Sequence, residues 1–271
     1  MNKISSRYKF LLSIIVVSYN SEKYIKQALD SVLSQINNQW ELIIIDGNST
    51  DSTKEIIQSY KKFISFFISE NDKGIYYAMN KGISKAKGTH ISFLNSDDIY
   101  LPEFVNSISH AFSEVDKPFF CAPVYLLDNN DNKVGKYYPV NNHSRNYLFK
   151  SSPFPHLGLV VKSTLFRDIG GFNLEYKFCA DYELMIRLIN KFGYGYQCIP
   201  FISACYRENG QSSRFSASLE SSRLIYKEGN LYYYLKYFYR YILIRILKKV
   251  LGKNLFLKMR KKMGRNLNYK I

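Results

Sequence analysis

Asn95-Ser96-Asp97-Asp98 places two adjacent carboxylates and a carboxamide directly behind an apolar run, residues 90–94. A strand that ends in this way offers oxygen ligands to a hard divalent cation. Mg2+ and Mn2+ favour such ligands, and Mg2+ keeps several waters while bridging carboxylates to phosphates. Asn, Ser and Asp also favour turns and helix caps. The tetrapeptide alone therefore leaves a cation site and an ordinary turn both open. His156, one of four histidines, stands in the Pro-flanked segment Pro153-Phe154-Pro155-His156. It has two readings, a contact in a cleft or a structural imidazole.

The elements that position these groups follow from hydrophobic periodicity. Apolar runs at residues 13–17, 41–45, 66–68 and 90–94 read as strands. Tyr24, Ile25, Ala28, Leu29, Val32 and Leu33 share one helical face, with Ser21 as the expected cap. Ile56, Ile57 and Tyr60 mark a second helix, and Ile75, Ala78, Met79, Gly82 and Ile83 a third that ends near Gly88. Alternating strands and helices imply βαβ units and a mainly parallel α/β sheet. Ligands of such sheets bind beyond the carboxyl ends of the strands. Ser18-Tyr19-Asn20, Asp46-Gly47-Asn48-Ser49 and residues 95–98 all fall there. Further on, residues 119–127 and 133–138 read as a hairpin-like pair. Helices are expected over residues 163–169 and around Leu184 to Phe192, stopped by Gly170 and Gly193.

Composition bounds the reading. Hydrophobic residues make up 46% of 271, enough for a substantial core. Cys121, Cys179, Cys198 and Cys205 lack CxxC spacing and read as reduced core thiols. The apolar start resembles a secretory signal but runs into Ser18 without a small-residue cleavage site, so a first strand is expected. The net charge of +16 is uneven. From residue 223 onward fourteen Lys/Arg face one acidic residue, which leaves residues 1–222 close to neutral. The expected division is a body over residues 1–222 and a basic, aromatic helical tail over residues 223–271. Tyrosines mixed with Lys and Arg over residues 232–265 suit an anionic membrane surface, where each basic residue contributes ~1 kcal/mol. The tail is not expected to bind nucleic acid, because the body is neutral and no nucleic-acid motif is present.

Four segments then carry a resemblance. Ser13-Ile14-Ile15-Val16-Val17-Ser18-Tyr19-Asn20, Ile44-Ile45-Asp46-Gly47-Asn48-Ser49-Thr50-Asp51, Gly74-Ile75-Tyr76-Tyr77-Ala78-Met79-Asn80-Lys81-Gly82 and Asn95-Ser96-Asp97-Asp98 occur in that order. Together they resemble family 2 glycosyltransferases with the GT-A (Rossmann-like) fold. The likeness is to bacterial enzymes of capsule, exopolysaccharide and lipopolysaccharide synthesis, including a colanic-acid-like subgroup. It implies Val17, Ser18 and Tyr19 as the nucleotide wall, with Asn20 beside them. Asp46 is implied as a partner of the base or ribose, against a structural role capping the following turn. Asp72 and Gly74 precede the helix that faces the nucleotide, and Asn80 and Lys81 lie on it. The resemblance gives Asp97 to the ribose or a metal-bound water and Asp98 to Mn2+ or Mg2+ directly. Asn95, where the family often has Asp, remains as a hydrogen-bond partner. His156 is expected to contact the acceptor, the diphosphate or the metal. Asp181 is implied as the general base, against a plain helix cap, with Glu183 as fallback. Ser212-Ser213-Arg214 is a candidate flap.

The activity so implied is inverting, metal-dependent transfer of a sugar from a nucleotide-diphosphate donor, a UDP-sugar in first place, to a saccharide or lipid-linked oligosaccharide. The expected location is the inner face of a bacterial cytoplasmic membrane. Two rivals stand beside it. A polyprenyl-phosphate acceptor would need no general base, and a catalytically silent scaffold would need no metal.

Overall fold

A computed structural model describes residues 11–128, 130–139, 148–149, 152–193, 195–207, 215–236, 238–239 and 242. Residues 11–207 belong to one compact unit, which divides at Ser213 from a second unit starting at Arg214. In the first unit, β1 (Leu12–Ser18), β2 (Trp40–Asp46), β3 (Phe66–Ser69) and β4 (His90–Asn95) pair in parallel, in the spatial order β4-β1-β2-β3. These strands are apolar on both faces because helices cover both. α1 (Ile25–Leu33) and α2 (Thr53–Ser59) carry the chain from β1 to β2 to β3 in one direction. α3 (Ile75–Lys85) carries it back to β4, on the other side of β1. The connection order therefore reverses between β1 and β4. The crevice at such a reversal is where ligands of open α/β sheets bind.

The sheet continues through strands of mixed direction. After β5 (Ile99–Tyr100) and α4 (Phe104–Glu114) come β6 (Phe119–Cys121), β7 (Val124–Leu127) and β8 (Lys133–Tyr137). β9 (Leu159–Lys162) lies antiparallel between β4 and β6, and β10 (Gln197–Cys198) completes a seven-stranded sheet. A second sheet has the order β5-β11-β7-β8, with β11 spanning Ala204–Arg207. One face of the main sheet packs Ile14, Val16, Ile44 and Leu94 against Ile25, Leu29, Val32, Phe104 and Ile108. α3 covers the other face so closely that a Cβ on Gly82 would lie 2.4 Å from Ile15 Cγ2. α5 (Ser163–Ile169) and α6 (Ala180–Phe192) follow β9, and Gly193 ends α6 at φ 62°.

Three details differ from the sequence reading. Residues 119–127 are not one strand: the chain breaks around Ala122 and Pro123, and β6 and β7 join different sheets. Residues 99–114 hold β5 and α4, which the periodicity reading omits. Ser21 does not cap α1 with its hydroxyl, which donates to the Tyr19 carbonyl and pairs with Ser96 Oγ at 2.6 Å.

In the second unit α7 (Phe215–Lys227) is followed by a turn at Gly229, φ 82°. Tyr226, Leu231, Tyr232, Leu235 and Tyr239 are exposed there. Residues 243–271, most of the basic tail, lie outside the described residues, as do Ser212-Ser213-Arg214 and residues 1–10. Among the described residues no helix is long and apolar enough to cross a membrane.

Candidate active site

Strand register alone brings most of the polar tips together. Val17 is level with Asn95, Ser18 with Asp46, and Asp46 with Ser69. The carboxyl ends of four parallel strands thus form one edge, and the reversal between β1 and β4 lies within it.

Asp46 is wholly buried at this edge, and its carboxylate takes four hydrogen bonds. Ser18 Oγ (2.9 Å) and Ser49 Oγ (2.5 Å) donate to Oδ1, while Ser49 N (2.9 Å) and Ser69 Oγ (2.6 Å) donate to Oδ2. A carboxylate has about four acceptor sites, so every one has a protein donor. This geometry favours the structural alternative for Asp46 over contact with a base. Asn20 acts in the same framework. Its backbone is left-handed (φ 47°), its N–H donates to Ser49 Oγ, and its side-chain oxygen accepts from Thr50 N. Asn20 thereby clamps the loop after β1 to the loop after β2.

Tyr19, in contrast, is 63% exposed at the edge. A Cβ on Gly47 would lie 3.3 Å from the Tyr19 ring and 3.2 Å from Asp72 Oδ2, so the bare Gly47 backbone is hemmed by both side chains. The other oxygen of Asp72 accepts from Gly74 N at 2.9 Å. Gly74 opens α3 with φ 135°, a conformation that only glycine adopts without strain. An exposed aromatic face, a carboxylate oxygen and bare backbone therefore converge at Gly47.

The two carboxylates after β4 differ. Asp98 is completely buried: Oδ1 accepts from Arg207 N and Oδ2 from Asn95 Nδ2, both at 3.0 Å. Burial, and then the neighbouring Asp97 charge, push Asp98 well above the usual carboxylate range, against the pull of Arg207 and Asn95. Asp97 is only partly buried, and burial raises it as well. Asn95 Oδ1 is buried with no hydrogen-bond partner among the described residues. Asp98, expected to hold a cation directly, is buried and takes one protein hydrogen bond on each oxygen, whereas Asp97 is less buried. Asp97 and the unsatisfied Asn95 oxygen are the groups that fit a hard divalent ion. Among the described residues no cluster of three or more His, Cys, Asp or Glu side chains gathers to hold a metal. Diphosphate oxygens and water would have to complete the shell, as is usual for Mg2+.

Asp181 lies in the first turn of α6. Tyr76, from α3, donates its hydroxyl to Asp181 Oδ1 at 2.9 Å. Burial and the Asp181 charge hold the Tyr76 phenol well above its ordinary value, so it acts as the donor. The Tyr76 ring stacks on Phe172, which meets Phe93 edge-on at 5.0 Å. Phe93 precedes Asn95 by two residues on β4 and so shares its face. This aromatic chain ties the Asp181 carboxylate to the strand that carries residues 95–98. His156 stacks on Phe93 at 5.7 Å, and neither of its covered ring nitrogens has a hydrogen-bond partner among the described residues. Burial depresses its pKa, partly offset by the charge of Asp181. The imidazole is therefore neutral at physiological pH.

Other expected site residues are committed elsewhere. The Asn80 amide exchanges two 2.8 Å bonds with the backbone of Phe172, and so positions the aromatic chain. Lys81 pairs with Glu70 at 2.8 Å on a partly exposed face. Glu183, the fallback base, is held by Arg187 through both oxygens, at 2.7 and 2.8 Å. Tyr76 and Arg207 were not among the expected residues. Tyr76 lies inside the Gly74–Gly82 motif, but nothing in its spacing marks it as Asp181's partner.

Comparison with known proteins follows the same lines. Residues 13–169 match the family described as Glycosyl transferase family 2. An uncharacterised glycosyltransferase of Rickettsia typhi is 31% identical over 67% of this chain, which spans 59% of that relative's length. The UDP-Glc:alpha-D-GlcNAc-diphosphoundecaprenol beta-1,3-glucosyltransferase WfgD of Escherichia coli is 31% identical over 66% of this chain and 70% of its own. The putative teichuronic acid biosynthesis glycosyltransferase TuaG of Bacillus subtilis is 41% identical over 34% of this chain and 38% of its own. Among solved structures, S. aureus TarS 1-349 in complex with UDP-GlcNAc superposes with a TM-score of 0.62 at 19% identity, over 80% of this chain and 66% of its own. At that identity the likeness is one of fold alone, and the fold is the GT-A arrangement expected from the sequence.

Proposed function

The chain belongs to glycosyl transferase family 2, and from that premise we propose that it moves a sugar from a nucleotide-diphosphate donor to a hydroxyl of a saccharide acceptor in bacterial surface polysaccharide synthesis. One observation carries the reading. The register of β1, β2 and β4 sets Tyr19, Asp97 and the unsatisfied Asn95 oxygen around the reversal of strand order.

The donor's base lies against the exposed Tyr19 ring, with Gly47 and Asp72 beneath it, and the diphosphate runs toward Asp97. A divalent ion held by Asp97 and Asn95 would neutralise the diphosphate as the nucleotide departs. Asp181, oriented by Tyr76, takes the proton of the acceptor hydroxyl as that oxygen attacks the anomeric carbon. The bond to the diphosphate breaks on the opposite side, which inverts the anomeric configuration. His156, neutral and buried against Phe93, supports the aromatic chain behind Asp181. A UDP-sugar donor and a lipid-linked acceptor are the leading candidates, because the relative WfgD is named for that pair. The exposed Tyr226, Tyr232, Leu235 and Tyr239, in a unit rich in Lys and Arg, favour attachment to an anionic membrane surface.

The test is a thermal-shift screen of nucleotide sugars with Mn2+ on wild type and Asp97→Asn. A donor that stabilises wild type only in the presence of Mn2+, and the variant far less, supports the assignment. Binding that ignores both metal and Asp97 would instead favour a silent scaffold.

A further inference from the structure

We propose that Arg207 is the positioning residue of the proposed donor site, holding the peptide that carries Asp97 in the geometry that admits a divalent ion. The inference rests on the donor-site reading above and adds to it a residue outside the four motifs.

Arg207 is the last residue of β11, and its side chain is 4% exposed. β11 pairs antiparallel with β5, Cys205 opposite Ile99, and the register extended by two residues brings Arg207 opposite Asp97. From there it grips the tip twice: its backbone N–H donates to Asp98 Oδ1 at 3.0 Å, and Nη1 donates to the Asp97 carbonyl. The remainder of the guanidinium is anchored on two other elements. Nη2 donates to Gln27 Oε1 on α1 at 2.7 Å, and Nε to Asp131 Oδ1 in the β7–β8 turn at 2.9 Å. Tyr24 covers the guanidinium face, 4.5 Å from ring centroid to Cζ.

Burying a charge is costly unless it is paired and hydrogen-bonded. This guanidinium meets that condition only where α1, the second sheet and residues 97–98 adjoin. A positive charge behind the carboxylates does not by itself attract a second cation, so its contribution is geometric. The planar fork fixes the carbonyl of Asp97 while the adjacent N–H fixes Asp98, and of the two side chains that of Asp97 is the less buried. Lysine has one donor centre and cannot span these partners.

The test measures Mn2+ binding in the presence of UDP by the electron paramagnetic resonance of free Mn2+, on wild type, Arg207→Lys, Gln27→Ala and Asp131→Ala. Residues that orient metal ligands typically change metal affinity by about 10–100-fold. Arg207→Lys is expected to weaken Mn2+ affinity within that range, while UDP binding without metal stays near the wild-type value. Gln27→Ala and Asp131→Ala, which keep the charge and remove its anchors, are expected to give smaller losses in the same direction. They also decide the matter if Arg207→Lys does not fold. Wild-type Mn2+ affinity in the folded variants, even with a lowered Tm, overturns the inference while leaving the donor site intact. No Mn2+-dependent UDP binding in wild type overturns the donor-site reading itself, and the inference with it.

Discussion

Replacing Asp46 with alanine separates a residue that builds the site from one that reads the ligand. The substitution removes an acceptor of four hydrogen bonds at a fully buried position. Hydrogen bonds to a charged group contribute about 1.5–3 kcal/mol each, and a buried donor left unpaired costs about 1–3 kcal/mol. Three of the donors are serine hydroxyls that can rotate toward other acceptors or water. The Ser49 N–H cannot. A net loss of about 4 kcal/mol is therefore expected. At roughly 2–4 °C per kcal/mol for a unit of this size, Tm falls by roughly 8–16 °C. Asp46→Asn keeps one oxygen for the Ser49 N–H and is expected to lose about half as much. Thermal unfolding followed by circular dichroism, with UDP calorimetry below the transition, gives both readouts. If Asp46→Ala melts within about 2 °C of wild type and yet loses UDP binding, the network is incidental and the carboxylate belongs to the ligand.

Three other perturbations address the remaining parts. Gly47→Val adds carbons where a single Cβ already meets Asp72 and the Tyr19 ring at 3.2 and 3.3 Å. UDP affinity should drop about tenfold or more, equivalent to about 1.4 kcal/mol, while Tm changes little. Asp181→Asn should cut kcat by ~10²–10⁴-fold with donor affinity unchanged; a nearly normal rate would point to a phosphate acceptor that needs no base. His90, 1% exposed beneath Phe112, is held at about 4 by burial first and then by Lys162. Between pH 6.5 and 4 the unfolded chain therefore binds a proton that the folded chain does not. Stability should fall with pH across that window by up to ~3 kcal/mol. His90→Phe should flatten the decline, as acid titration of Tm would show.

The parallel half of the fold was legible because its strands are continuous apolar runs, and the polar tips follow from where those runs end. α4 was legible too, beyond the strands and helices expected above: Phe104, Val105, Ile108, Ala111 and Phe112 keep helical spacing after Pro102. The division of residues 119–127 between two sheets was not, because an apolar run carries no record of which neighbour pairs with it. At the site, residue type located the acidic tip but not the difference between its carboxylates. Asp97 and Asp98 are chemically identical, and the Arg207 N–H, 109 positions away from Asp98, joins the Asn95 amide in holding one of them inward. Asn80 and Lys81 illustrate the same limit. Their motif is plain in the sequence, while their partners, Phe172 and Glu70, are set by packing.

The most direct measurement is a crystal structure with UDP and Mn2+ bound. The ion should sit on an Asp97 oxygen and bridge to both phosphates, with the base against Tyr19 and Asp98 still bonded to the Arg207 N–H. Mn2+ coordinated by Asp98 in place of Asp97, or UDP bound away from the crevice between β1 and β4, would contradict the account.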